Sequence, residues 1–123
     1  MAKTALELTA AELNRYNPTK HWQQSLAPER WEKAWALVPQ LAALLREQFG
    51  ATRVAVFGSL TDRDRYTRWS DIDLAAWDIP VDRFYRAAIA VAEISPEFQV
   101  DLVDPNGCRP SIQQAIAREG IDV

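Results

Sequence analysis

Two aspartates, Asp71 and Asp73, are set in the apolar run Ser70-Asp71-Ile72-Asp73-Leu74-Ala75-Ala76. In an extended strand, residues two apart share a face. Ile72 and Leu74 then point into a core while both carboxylates point outward together. Like charges so placed repel and raise each other's pKa, and a divalent cation removes that penalty. A third acid, Asp101, has a matching setting in Gln99-Val100-Asp101-Leu102-Val103. A carboxylate inside an apolar strand is costly unless it is paired or bound to metal. If the two strands are neighbours, the three acids can hold two cations about 4 Å apart, an arrangement that activates an attacking oxygen and stabilises a leaving phosphate. The bland alternatives are solvent-facing acids at 71 and 73, and a strand-edge acid with an arginine partner at 101.

Gly58-Ser59 directly follows the apolar stretch Val54-Ala55-Val56-Phe57. A glycine there lets backbone N–H groups approach a polyphosphate, and the serine hydroxyl adds a donor. Gly-Ser by itself is too common to signal anything; the specific feature is its place at a strand end, ahead of the paired and single acids. Asp62 and Asp64 repeat the Asp-x-Asp spacing, but they alternate with Arg63 and Arg65 in a polar loop and read as a solvated, self-neutralising charge run. Asp104 reads as turn chemistry, and Asp78 as a strand end or a helix cap near Pro80.

The elements that must position these residues are legible from periodicity and punctuation. Thr9 and Glu12 form a capping-box pattern, which predicts a short helix over 10–16, followed by a polar loop over 17–27. Pro28 opens a helix that ends at Gly50, with Trp31, Ala34, Trp35, Val38, Leu41, Ala42 and Leu45 on one face. Pro39 is expected to kink this helix or divide it. Strands are predicted over 52–57, 71–77 and 98–103, with a loop over 60–70 and a turn over 104–107. Helices are predicted over 81–94 and 110–119. The order of helices, β, β, α, β, α describes an α+β fold with a small mixed sheet flanked by helices. Residues 1–28 form a helical extension or interaction arm, and 29–123 form one domain.

The 123 residues suffice for one domain with a modest core, and 48% hydrophobic content fits a globular chain. A net charge of −3 supplies no global basic field to recruit nucleic acid. No stretch approaches the roughly 20 apolar residues of a membrane span, and the N-terminus lacks a secretory pattern. One cysteine, Cys108, excludes an internal disulfide and points to the cytoplasm. One histidine, His21, cannot build a histidine metal site. The five tryptophans (Trp22, Trp31, Trp35, Trp69 and Trp77) are read as packing residues, with a partner-binding surface as the sharper reading.

Taken together, Gly58-Ser59 at a strand end, Asp71-Ile72-Asp73 on the next strand and Asp101 on a later one resemble the nucleotidyltransferase superfamily of the DNA polymerase beta type. The segment Ser70-Asp71-Ile72-Asp73-Leu74-Ala75 matches its central block closely. The small size is similar to the minimal nucleotidyltransferases, and so is the ending Ile112-Gln113-Gln114-Ala115-Ile116-Ala117-Arg118-Glu119-Gly120-Ile121-Asp122-Val123. The resemblance covers about residues 29–123. It implies an antitoxin that transfers AMP from ATP to a tyrosine of a HEPN-domain ribonuclease toxin, in a hetero-oligomer with it. Asp71 and Asp73 would ligate Mg²⁺, with two ions expected. Asp101 would bind the catalytic metal and help activate the tyrosine hydroxyl. Gly58 and Ser59 would hold the β- and γ-phosphates. Many relatives follow Gly-Ser with a basic residue, an alanine and another basic residue, where this chain has Leu60-Thr61-Asp62. Arg63, Arg65 or Arg68 would then supply the phosphate contact from the loop, with Arg63 as the candidate. Tyr66 and Trp69 could stack on a base, with loop packing as the plainer reading. Two rivals remain at this level: a non-catalytic protein that neutralises its partner by contact, and a nucleotidyltransferase acting on a small molecule such as an aminoglycoside.

Overall fold

The computed structural model describes residues 26–123; the expected helix over 10–16 and nearly all of the expected arm over 1–28 lie outside the described residues. The first helix, α1, runs from Pro28 to Phe49. Proline at its start costs nothing, because the first N–H groups of a helix have no partner. Gly50 ends it in the left-handed region at φ 77°, its N–H returning to the Arg46 carbonyl and that of Ala51 to the Leu45 carbonyl. Ala34, Val38, Leu41, Ala42, Leu45 and Phe49 form the buried face.

Of the two expected outcomes at Pro39, division does not occur: α1 runs through it as one helix. Pro39 sits on the exposed side of the helix, where water can satisfy the carbonyl that loses its amide partner. The buried stripe continues unbroken beneath it, and packing of that stripe holds the helix together.

Four strands follow the chain as β1 (Arg53–Phe57), β2 (Ile72–Trp77), β3 (Val100–Val103) and β4 (Ile121–Asp122). They form one mixed sheet in the order β3-β2-β1-β4. β1 is antiparallel to both β2 and β4, and β2 is parallel to β3. The parallel pair needs a crossover, which helix α2 (Val81–Ala92) provides. The last helix, α3 (Pro110–Glu119), leads into β4. Between β1 and β2, the expected loop is tightened into two short 3₁₀ turns, Gly58–Thr61 and Arg63–Arg65.

The alternation of the strands decides which helix meets which face. Val54, Val56, Ile72, Leu74, Ala76 and Val100 join the main core with the buried residues of α1 and α2. The opposite face carries Phe57 and Ala75, which pack with Ile116 of α3, flanked by Trp77, Val103, Ile112 and Cys108. Of the tryptophans, Trp31 and Trp35 pack against the main core, Trp77 borders the second cluster, and Trp69 is exposed. No described helix is long and apolar enough to cross a membrane.

Candidate active site

Asp71 lies immediately before β2, and Asp73 is the first outward position within it. Ile72 and Leu74 between them are fully buried, as the period-two pattern requires. Register then places the third acid. In the parallel pairing, Ile72 stands opposite Val100, Asp73 opposite Asp101 and Ala75 opposite Val103. Directly opposed residues share a face, so Asp101 and Asp73 project from the same side of the sheet, with Asp71 one pleat before them. Farther along, Ala75 and Val103 lie beneath α3. α3 therefore covers one end of this face and leaves the acidic end uncapped.

The electrostatics report the same gathering. Burial, then the charges of Asp101 and Asp71, push the Asp73 carboxyl up to about 6. Burial and Asp101 also raise Asp71, against the lowering effect of the Arg30 guanidinium. Arg30 is fixed by its Nη2, which donates to the carbonyls of Ser70 (3.4 Å) and Glu97 (3.2 Å), and by stacking 4.3 Å over the Phe98 ring. Sequence reading missed Arg30, because nothing in α1 marks one arginine of its polar face as reaching the start of β2.

Asp101 differs from expectation in its environment. It is exposed on the edge strand, so burial is not what makes it costly there. Its Oδ1 and Oδ2 accept from Gln99 Nε2 at 3.2 and 3.4 Å, a glutamine where an arginine partner was the alternative. Among the described residues, no three His, Cys, Asp or Glu side chains are drawn together into a finished metal cage. The donor set nevertheless suits a hard divalent cation: it is oxygen-only, and the negative charge of Asp101 raises both Asp71 and Asp73, a repulsion that a cation would relieve.

Gly58 lies against this patch. It follows Phe57, which pairs with Asp73, and turns the chain at φ 76°. A Cβ at Gly58 would stand 2.6 Å from Asp73 Oδ2. Only glycine allows both the left-handed turn and the approach of the carboxylate. The Gly58 N–H, expected to face phosphate, donates instead to Glu119 Oε2 at 3.2 Å. The Ser59 hydroxyl makes no hydrogen bond among the described residues, and the carbonyl of Ser59 accepts from Asp62 N–H.

The loop is anchored from below by a pair of indoles. Trp31 and Trp35 of α1 both donate Nε1–H to the Leu60 carbonyl, at 3.0 and 2.9 Å, and Leu60 itself is fully buried. The helical spacing of these tryptophans marks a face but not this shared acceptor. Tyr66 is also fully buried, so it is a packing residue and no base-stacking platform. Its burial pushes the hydroxyl up to about 12, and it donates to the Ser70 carbonyl. Trp69 is 65% exposed, with Arg68 4.7 Å over its ring. Asp62 caps the second 3₁₀ turn by accepting from Asp64 N–H, apart from the three acids, as its polar loop suggested. Asp104 accepts from Asn106 N–H in a turn.

Of the three loop arginines, Arg63 is exposed and makes no salt bridge among the described residues. Arg65 pairs with Glu119 at 3.3 Å, on the same carboxylate that holds Gly58. Through Glu119, Arg65 is thereby linked to the Gly-Ser turn. Both arginines are exposed on the same 3₁₀ turn, and Arg65 is the one that reaches Glu119 of α3.

This arrangement of sheet, turn and acids has known counterparts among solved structures. A protein described as a minimal nucleotidyltransferase superposes with a TM-score of 0.59 at 27% identity, over 76% of this chain and 95% of that one. The fold is that of a minimal nucleotidyltransferase. Two further structures share this nucleotidyltransferase fold. One is a toxin–antitoxin structure with AMP-PNP (TM-score 0.56, 23% identity, 68% of this chain and 69% of that one). The other is the MntA–HepT toxin–antitoxin structure (TM-score 0.50, 20% identity, 74% and 69%). No family model matches the chain, and neither does any curated protein.

Proposed function

We propose that this nucleotidyltransferase-fold protein is an antitoxin that transfers AMP from ATP to a tyrosine of a HEPN-domain ribonuclease and so silences it. The observation that carries the reading is the register of β2 and β3, which sets Asp73 opposite Asp101 with Asp71 beside them and Gly58 against Asp73. An electronegative oxygen-only patch at the edge of a sheet, next to a strand-end Gly-Ser turn, suits a metal-bound triphosphate. The toxin–antitoxin structures of the same fold, one of them holding AMP-PNP, support both the nucleotide and the kind of partner.

Asp71, Asp73 and Asp101 would hold Mg²⁺, with room in the donor set for two ions. The metal would neutralise charge on the phosphates and lower the pKa of the attacking hydroxyl. Gly58 and Ser59 would orient the β- and γ-phosphates, and Arg30 and Arg65 add positive charge at either end of the patch. The tyrosine oxygen forms a bond to the α-phosphorus, the bond from that phosphorus to the β-bridging oxygen breaks, and pyrophosphate leaves. The phenolic proton passes to Asp101, the most exposed of the three acids and so the one an incoming protein can reach. Positioning and charge neutralisation carry such a transfer. The open acidic end of the sheet suits a protein acceptor better than a small one, which needs enclosure.

A second reading is favoured by one observation: the Gly58 N–H and the Asp101 carboxylate already have partners within the chain, Glu119 and Gln99. A protein that neutralises its partner by contact alone would leave them so. Labelled ATP, Mg²⁺ and the cognate ribonuclease decide between the two. Transfer predicts label on a tyrosine of the ribonuclease, lost with the double Asp71→Asn, Asp73→Asn variant. In cells, that variant should fail to protect against the ribonuclease. Full protection by it would overturn the transfer reading in favour of contact.

A further inference from the structure

Glu119 ends α3, where a carboxylate faces the negative end of the helix dipole. An acid at that position needs a compensating gain, and Glu119 has two. Its Oε2 accepts from Gly58 N–H at 3.2 Å, and its Oε1 accepts from Arg65 Nη1 at 3.3 Å. Its side chain is only 24% exposed, so these charge-assisted bonds are partly shielded from water.

The topology explains why this side chain is needed. The β1–β4 ladder pairs Ala55 with Asp122 and Val56 with Ile121, and goes no farther. Gly58 lies beyond the ladder, where no strand residue receives its N–H. Glu119, just before β4, supplies a side-chain oxygen in place of the missing backbone acceptor. The peptide so held is the one that clears space for Asp73, since Asp73 Oδ2 occupies the place of the absent Gly58 Cβ. The same carboxylate draws Arg65 back onto α3 across the 58–65 loop, whose middle is tied to α1 through the Leu60 carbonyl.

We infer that Glu119 is a positioning residue for nucleotide binding. One carboxylate fixes the Gly58 peptide so that Ser59 and Asp73 address the same triphosphate, and it holds Arg65 beside them as the phosphate-side cation that the segment Leu60-Thr61-Asp62 lacks. This rests on the nucleotidyl-transfer reading.

The test is titration of the full-length protein with ATP and Mg²⁺ by calorimetry, with thermal melting of every variant. Glu119→Gln keeps an acceptor for Gly58 but loses the ionic hold on Arg65, and it should weaken ATP binding about threefold; Glu119→Ala loses both and should weaken it about tenfold. Arg65→Ala should resemble Glu119→Gln. The double variant Glu119→Gln, Arg65→Ala should be no weaker than either single one, because the two side chains act as a unit. A purely structural role would lower the melting temperature and leave the dissociation constant of the folded protein unchanged, which overturns the inference. Tighter ATP binding by Glu119→Ala also overturns it, since the carboxylate would then be competing with phosphate. Asp73→Asn separates the two levels. If Asp73→Asn binds ATP as wild type does, the transfer reading itself fails. If Asp73→Asn loses ATP while Glu119→Ala keeps it, only the role of Glu119 fails.

Discussion

Asp73 is where the chain accepts an electrostatic penalty, and the penalty has a pH signature. Its carboxyl is raised from 3.8 to about 6, so the folded protein binds this proton more tightly than the unfolded chain does. Below the unfolded value both states are protonated and nothing is lost. As pH rises through about 6, the folded state must ionise a partly buried acid beside two others, and stability falls. Asp73→Asn should therefore stabilise the metal-free protein at pH 7.5, by about 1 kcal/mol once solvent screening of this partly exposed group is allowed for, and the gain should vanish near pH 4. Chemical denaturation of both proteins at the two pH values, in chelator, measures it. Gly58 gives a second expectation. Gly58→Ala must strain a left-handed backbone and meet Asp73 Oδ2, so it should destabilise by about 1–3 kcal/mol and impair ATP binding as well. An unchanged melting temperature would show that the turn relaxes freely.

At the scale of elements, the Gly-Ser loop is positioned by helices distant in sequence. α1 reaches it through the indoles of Trp31 and Trp35, and α3 through Glu119. Two donors on one carbonyl satisfy both of its lone pairs, so each indole bond can be removed separately. Trp31→Phe and Trp35→Phe should each cost about 1 kcal/mol, and the double change should cost more than either, because the Leu60 carbonyl is then left without a partner. Urea denaturation checks the stability. Proteolysis within the loop of the double variant, under conditions where the wild type resists, would mark its release from α1. Cleavage no faster than wild type would mean that burial of Leu60 alone holds the loop.

For the whole molecule, the proposed metal role of Asp71, Asp73 and Asp101 predicts a stability that depends on divalent ions. A ligand that binds only the folded state stabilises it by about 2.7 kcal/mol at a hundredfold excess over its dissociation constant. Mg²⁺ or Mn²⁺ should raise the melting temperature at pH 7.5, and EDTA should reverse the rise. If Asp73 ligates the ion, the shift should shrink below about pH 6, where Asp73 takes up its proton. The double Asp71→Asn, Asp73→Asn variant should show no shift at either pH. A shift of full size in that variant would place the ion elsewhere on the protein.

The sequence by itself determined the elements and the facing of two acids. Strand periodicity alone put Asp71 and Asp73 on one side of β2 with Ile72 and Leu74 on the other, because that alternation is a property of the backbone. Pro28, Gly50 and Pro80 marked helix boundaries for equally local reasons. Pro39 did not by itself tell whether the helix would divide, because a proline's cost depends on whether its side of the helix faces solvent, which is a tertiary fact. Only the tertiary structure decided the rest. The register of β2 against β3 set Asp101 opposite Asp73, and a slip of one residue would have sent it to the other face. The ends of α1 and α3 selected Arg30, Arg65, Trp31, Trp35 and Glu119 from many similar side chains. Such choices join residues far apart in the chain, and no local pattern of residue types encodes which of several arginines a distant carboxylate or carbonyl will meet.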